Sequence, residues 1–215
     1  MENLPERLEA QLTTFSSSES FELAQRMAKM IMVSDLIPDK FKGNVSNCVI
    51  ALNMASRIGA DPLMVMQNLY IVHGKPSWSS TFLIAAINGS GKFKGSLKFE
   101  LSGTGEGRQC IAWINDFEGN KLESPPITMA MAKAEGWESK SGSKWKTMPE
   151  LMLRYRAAAF FSRLYCPEIT MGMQTAEEVQ DYEVIESRMP QPEVIKAEKQ
   201  GVKASEGPEQ GKLNV

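Results

Sequence analysis

The chain has 215 residues, 42% of them hydrophobic, enough to bury one core of domain size with tails to spare. Its 24 basic and 26 acidic side chains leave a formal charge of -2 and a pI near 5.7, which excludes a histone-like, wholly basic nucleic-acid binder but not local basic patches. Residues 174–215 hold nine acidic and five basic side chains, so the other 17 acidic and 19 basic ones make the body mildly basic.

Residues 1–15 are polar and read as a flexible N-terminus. Ser16 with Glu19 forms a capping box for a helix through about Val33, with Phe21, Ala24, Met27, Ala28 and Ile31 on one face. A second helix is expected from Val45 to Ile58, ended by Gly59, and Asp61-Pro62 reads as the cap and first residue of a short third. Leu69 to Val72 is β-type and turns at His73-Gly74-Lys75-Pro76, which predicts a strand or hairpin. Residues 80–88 look helical, and 93–101 and 108–115 look like two strands joined by a loop carrying Gly103, Gly105 and Gly107. In the second strand Cys110, Ala112 and Ile114 alternate with Ile111 and Trp113, so both faces are expected to be covered.

A short helix near Thr128 to Glu135 leads into a Gly/Ser/Lys loop over 136–146, then a long helix from Pro149 that ends before Pro167. Thr175 with Glu178 offers another capping box. Beyond Ser187 the apolar periodicity stops, so 188–215 reads as a disordered tail. The expected architecture is α+β, helices packed on a small, mostly antiparallel sheet, in one folded domain over 16–187.

Several chemistries are disfavoured. Cys48, Cys110 and Cys166 are odd in number and without C-x-x-C spacing, so neither a disulfide framework nor a zinc site is indicated and a reducing, intracellular setting fits. The first thirty residues lack a basic-then-apolar leader, and no run reaches about 18 apolar residues, so neither secretion nor a membrane span is expected. His73, the single histidine, rules out His-rich metal sites and leaves triad catalysis without support. Gly89-Ser90-Gly91-Lys92 looks like the end of a phosphate-binding loop, but Ala86 stands where the first glycine belongs and Phe93 where a magnesium-holding hydroxyl belongs. Asp116, Glu118 and Lys121 form a nuclease-like trio, yet Asp116-Phe117-Glu118-Gly119-Asn120 reads better as a polar turn. No catalytic residue, metal or cofactor is assigned.

Nucleic-acid chemistry is better represented. No acidic side chain lies between Pro62 and Phe99, where Lys75, Lys92, Lys94 and Lys98 supply charge; a solvated lysine face would look the same. Between Glu138 and Cys166 six basic residues (Lys140, Lys144, Lys146, Arg154, Arg156, Arg163) oppose two acids and alternate with Trp145, Tyr155, Phe160 and Phe161. Single-strand binding needs this mixture of cations for phosphates and π-faces for bases. Trp145, set between two lysines in a polar loop, is the foremost candidate for touching DNA. Arg156 and Arg163 are seven residues apart, on one helical face and about 10.5 Å apart along the axis, with Arg154 nearly opposite. Phosphates can occupy that pair; intrachain carboxylates remain the rival.

Trp145-Lys146-Thr147-Met148-Pro149 and the basic helix through Leu164 resemble the RecT family of phage-type single-strand annealing proteins, as do Cys166-Pro167-Glu168 and Gln174-Thr175-Ala176-Glu177-Glu178. Gly59-Ala60-Asp61-Pro62-Leu63 and the strand after Asn68 are similar to that family's upstream stretch. The resemblance spans roughly residues 20–185, with 145–178 its specific part. It implies a non-enzymatic protein that binds single-stranded DNA and anneals complementary strands without ATP in phage-type recombination. It further implies ring or filament homo-oligomers, an annealed duplex intermediate, a phage exonuclease and a host single-strand-binding protein as partners, and a bacterial cytoplasm as setting. Its basic-helix positions fall on Arg156 and Arg163, less certainly on Arg154. The expected DNA-binding set is therefore Lys75, Lys92, Lys94, Lys144, Trp145, Lys146, Arg156 and Arg163. The competing readings are a single-strand binder that does not anneal, a metal-dependent nuclease, which is further off, and a phage structural or adaptor protein with no DNA affinity.

Overall fold

The computed structural model describes residues 14–72, 74–139 and 141–186, with 182–186 described as helix backbone alone. The expectations for residues 1–13, His73, Lys140 and the tail 188–215 lie outside the described residues. The fold is α+β, with small antiparallel sheets and a larger helical complement.

Helix α1 (Ser18–Ile31) is capped by Ser17 rather than Ser16, because Ser17 and Ser20 exchange side-chain and backbone hydrogen bonds, each 3.1 Å, and start the helix one residue later than expected. It buries Ala24 and Ala28. Helix α2 (Val45–Ile58) begins where Asn44 accepts from the Asn47 N–H and ends at Gly59, whose φ of 65° is the left-handed value that stops a helix. Asp61 caps α3 (Pro62–Asn68) by accepting from the Met64 N–H at 3.0 Å, with Pro62 in the first turn. β1 (Leu69–Val72) and β2 (Lys75–Trp78) then form the expected hairpin.

Helix α4 (Ser80–Gly89) joins two cores, which accounts for its lack of a single apolar stripe. Phe82 packs in a cluster with Leu52 of α2, Met66 of α3 and Phe41 of the α1–α2 connection, while Leu83 and Ile87 enter a second cluster built on the larger sheet. That sheet places β4 (Gln109–Asn115) beside β3 (Lys94–Ser102), with β5 (Lys121–Glu123) and β6 (Ile127–Thr128) in turn along its other edge. The break between β5 and β6 falls at Pro125 and Pro126, which lack N–H groups. Ser124 repairs it: its N–H donates to the Ala112 carbonyl at 2.8 Å and its Oγ accepts from the Ala112 N–H at 3.0 Å. In the β3–β4 loop Gly103 is indispensable, since a Cβ there would come within 2.2 Å of the Gly107 carbonyl oxygen.

Behind the sheet lies α7 (Pro149–Tyr165), packed on β4 and α4 through Leu153, Ala157, Ala158 and Phe161. Covering of both faces of β4 is not observed. Cys110, Ala112 and Ile114 are buried under α7, whereas Ile111 and Trp113 are half-buried. The segment 136–146 also departs from a simple loop: after α5 (Met129–Ala134) it holds a 3-10 turn, Trp137–Ser139, and a one-turn helix α6 (Lys144–Thr147). Helix α8 (Pro167–Thr170) and α9 (Ala176–Glu186) follow, the latter behind the expected Thr175–Glu178 capping box. Among the described residues no single helix is long and apolar enough to cross a membrane; α2 and α3 pass that test only together, across a 112° bend.

Candidate nucleic-acid interface

Charge in the basic helix is turned inward. Arg156 is 2% exposed, and its guanidinium meets Asp181 of α9 at 2.5 Å and Glu178 at 3.9 Å. It also lies over the Trp137 ring, 3.9 Å from its centre. Trp145 is 1% exposed; its indole N–H donates to the same Asp181 oxygen at 2.9 Å, and its ring sits 5.1 Å from that of Trp137. A fully buried cation demands this treatment, because an unpaired charge removed from water costs several kcal/mol, roughly, per ion.

The expectation that Arg156 and Trp145 touch DNA is therefore corrected: both are interior groups that fasten α9 to α6 and α7. Trp145 turns inward because a one-turn helix steps about 100° per residue, which sends Lys144 and Lys146 out while the ring between them goes in. Arg163 does share a face with Arg156, but the shared partner is Glu178, to which Arg163 donates while remaining 37% exposed at its side chain. Arg154 points elsewhere and reaches Glu150, donating to its carbonyl at 3.4 Å and standing 4.0 Å from its carboxylate.

The lysines behave differently. Lys75, Lys94, Lys98, Lys144 and Lys146 are exposed, and none has a carboxylate in ion-pair range among the described residues. Lys92 is exposed but engaged, donating to the Tyr165 carbonyl at 2.7 Å and to Glu168. That ammonium holds the Glu168 carboxyl below the usual carboxylate range. The structure does not gather these cations into one pocket. Lys144 and Lys146 stand at the start of α7 and Lys92 at its end, about 24 Å away over the helix's 17 residues. Lys75 sits on the β1–β2 hairpin, which packs on α9.

The alternation in β4 held a signal that the expected set did not use. Trp113, on the open face of the sheet, lies under two ammonium groups, Lys98 at 4.9 Å and Lys121 at 4.7 Å from the ring centre. Lys121 also pairs with Glu123, and with Glu100 at 3.8 Å.

The remaining chemistry is quiet. Burial pushes the Cys110 and Cys166 thiols up to about 11 and raises that of Cys48, so none is poised as a nucleophile. Asp116 accepts from the Asn120 backbone at 2.8 Å and its side chain at 2.9 Å, which lowers its carboxyl and makes it a turn residue. Among the described residues no cluster of three His, Cys, Asp or Glu side chains is arranged to hold a metal ion. Neither a family model, nor a curated protein, nor a solved structure matches the chain.

Proposed function

We propose that this chain binds single-stranded DNA through its outward lysines and pairs complementary strands without nucleotide hydrolysis. One observation carries the reading: five lysines between Lys75 and Lys146 stand in water without carboxylate partners among the described residues, while two of the three arginines of the basic helix, Arg156 and Arg163, are paired with buried acids. Ammonium groups without carboxylate partners suit a polyanion, which gains by releasing its counterions wherever a phosphate is neutralised. Trp113, half-open beneath two lysines, adds the π-face that an unstacked base can use.

The pairing half of the proposal rests on the resemblance of residues 145–178 to the annealing family. In this fold those residues are the ones that lock α6, α7 and α9 together, so their likeness speaks for a shared architecture. Assembly into rings or filaments and cooperation with a phage exonuclease and a host single-strand-binding protein belong to the same proposal.

The test is to mix two complementary labelled oligonucleotides with the protein, with and without ATP and magnesium, over a range of salt. Annealing faster than the spontaneous rate, indifferent to both additives, is expected, with affinity similar for unrelated sequences and falling as salt rises. Binding without acceleration would leave a protective single-strand binder. Magnesium-dependent cleavage would make the protein a nuclease, and salt-independent or absent binding would end the proposal.

A further inference from the structure

Helix α1 carries two adjoining bands that the described chain leaves uncovered. Ala24 and Ala28 are buried in the core shared with α2, while Leu23, Met27 and Met30 stand 52%, 39% and 74% exposed. At about 100° per residue these three fall within about 60° of arc and make one apolar stripe. The stripe borders a groove of about 490 Å³, lined in part by Leu23, Met27, Leu52 and Ala55. The second band is charged. Glu19, Glu22, Arg26 and Lys29, all exposed, occupy about 80° of arc on the stripe's outer side. None of the four has an ion-pair partner among the described residues.

Acids fill the first half of the charged band and bases the second. That order suits the helix dipole, yet the dipole does not require all four on one flank beside an apolar stripe. Such a band is complementary to itself when turned end for end. Antiparallel helices related by a two-fold axis face each other with the same flank. With the axis level with Ala24, Glu19 comes level with Lys29 of a second copy and Glu22 with its Arg26, and symmetry repeats both pairs. The same register brings Leu23 within about 3 Å, measured along the helix, of both Leu23 and Met27 of the second copy. A parallel pair would instead set acid beside acid and base beside base. An unrelated helix would have to present the same charges in reversed order, which a second copy does by symmetry.

We propose that α1 is a two-fold contact through which two copies of this chain pair, apolar stripes meeting at the axis and the charged bands exchanging ion pairs along its rim. An isologous contact closes on itself, so it is distinct from the head-to-tail contact that a ring or filament uses. A helix of 14 residues is about 21 Å long, so the contact lies at the small end of specific interfaces and pairing is a concentration-dependent equilibrium. The inference stands apart from DNA binding, and either can fail with the other intact.

Sedimentation of the full chain without DNA, over a wide range of concentration, should show monomer passing to dimer, and less dimer as salt rises. Glu19→Lys/Glu22→Lys makes the band wholly basic, and Arg26→Glu/Lys29→Glu makes it wholly acidic. Each variant alone should pair at least several-fold more weakly than the parent, while an equal mixture of the two should pair one to one at least as well as the parent. Leu23→Asp, which sets like charges together at the axis and leaves the charged band untouched, should abolish pairing. All the substituted side chains are exposed, and an unchanged circular dichroism spectrum checks that α1 still forms. A parent that stays monomeric throughout overturns the proposal. So does a mixture that fails to pair, or self-association unaltered by Leu23→Asp and by both charge reversals.

Discussion

Arg156 and Lys98 are both cations set against a tryptophan face, yet they occupy opposite solvents. Arg156 lies over Trp137 in the interior at 2% exposure, fixed by Asp181 and Glu178, while Lys98 lies over Trp113 on the open face of the sheet with no carboxylate in range among the described residues. A mixture of basic and aromatic residues is therefore not in itself a binding surface. What separates the two cases is where the acids lie: a buried guanidinium requires carboxylates delivered from another element, and a solvated ammonium requires none.

The sharpest way to break the comparison is to remove the shared acid. Asp181→Ala strips Arg156 of its nearest counter-charge and Trp145 of its hydrogen-bond acceptor while leaving the surface lysines untouched. Breaking one side of a buried ion pair costs about 3–5 kcal/mol, which for a domain of this size is a fall in Tm of roughly 6–20 °C. Calorimetry checks it, and a shift below about 2 °C would show that the cluster does not hold α9 in place.

Trp145→Phe asks less of the fold. It keeps a ring near Trp137 but loses the 2.9 Å bond to Asp181, leaving a buried acceptor short of one donor, for about 1–3 kcal/mol in denaturant-midpoint stability. Trp113→Ala is its counterpart on the open face, where the loss expected is in single-strand affinity, about 1–3 kcal/mol if a base stacks there. If Trp145→Phe weakened DNA binding with stability unchanged, the assignment of inside and outside would be reversed.

Local signals carried the elements well and the partnerships poorly. The end of α2 follows from Gly59, and the bounds of α7 from Pro149 and Pro167, because caps and breakers act on neighbours in sequence. Nothing local links Arg156 to Asp181, which lies 25 residues on, or Trp145 to the same acid, 36 residues on. The inward turn of Trp145 was hidden by its lysine neighbours, whose polarity describes the two directions a one-turn helix sends outward. One clue was present: Glu178 and Asp181 are three apart on α9, one face of a helix that also buries Val179, and acids on a buried face call for buried bases. The open face of the sheet was misread: the alternation separates Ile111 and Trp113 from Cys110, Ala112 and Ile114, but apolar residues on both faces suggested that both were covered, whereas only the second set is buried.

The Lys92–Glu168 pair sits between the two extremes, and pH titrates it. Glu168 is held below the usual carboxylate range chiefly by hydrogen bonding to Lys92, so its folded pKa is depressed. A depressed acid contributes stability that is present above its unfolded value, about 4.3, and that fades as pH falls through the folded pKa. Both side chains are largely exposed, at 43% and 59%, which limits the contribution to about 1 kcal/mol or less. Glu168→Gln should lower Tm slightly at neutral pH and converge with the parent at low pH; an undiminished gap in acid would mean that the glutamate acts by packing instead of charge.

The smallest effect on stability belongs to the lysines, and there the comparison meets function. Lys75→Gln, Lys94→Gln, Lys144→Gln and Lys146→Gln each remove an exposed charge that no described carboxylate answers, so each should change stability by less than about 0.5 kcal/mol. If the outward lysines neutralise phosphates, each substitution should flatten the dependence of log affinity on log salt by about 0.7 for every phosphate left unneutralised, with similar losses for unrelated sequences. Lys133→Gln is the control: Lys133 is 60% exposed at its side chain but already paired with Glu106, so removing it subtracts the same net charge without taking a cation from any phosphate. Equal weakening by Lys133→Gln would mean that DNA responds to net charge alone and would remove the four lysines as a defined interface. A flattened slope for the four with an unchanged slope for Lys133→Gln, at constant melting temperature, separates binding from folding in a way that Arg156 and Arg163 cannot, because their partners are inside.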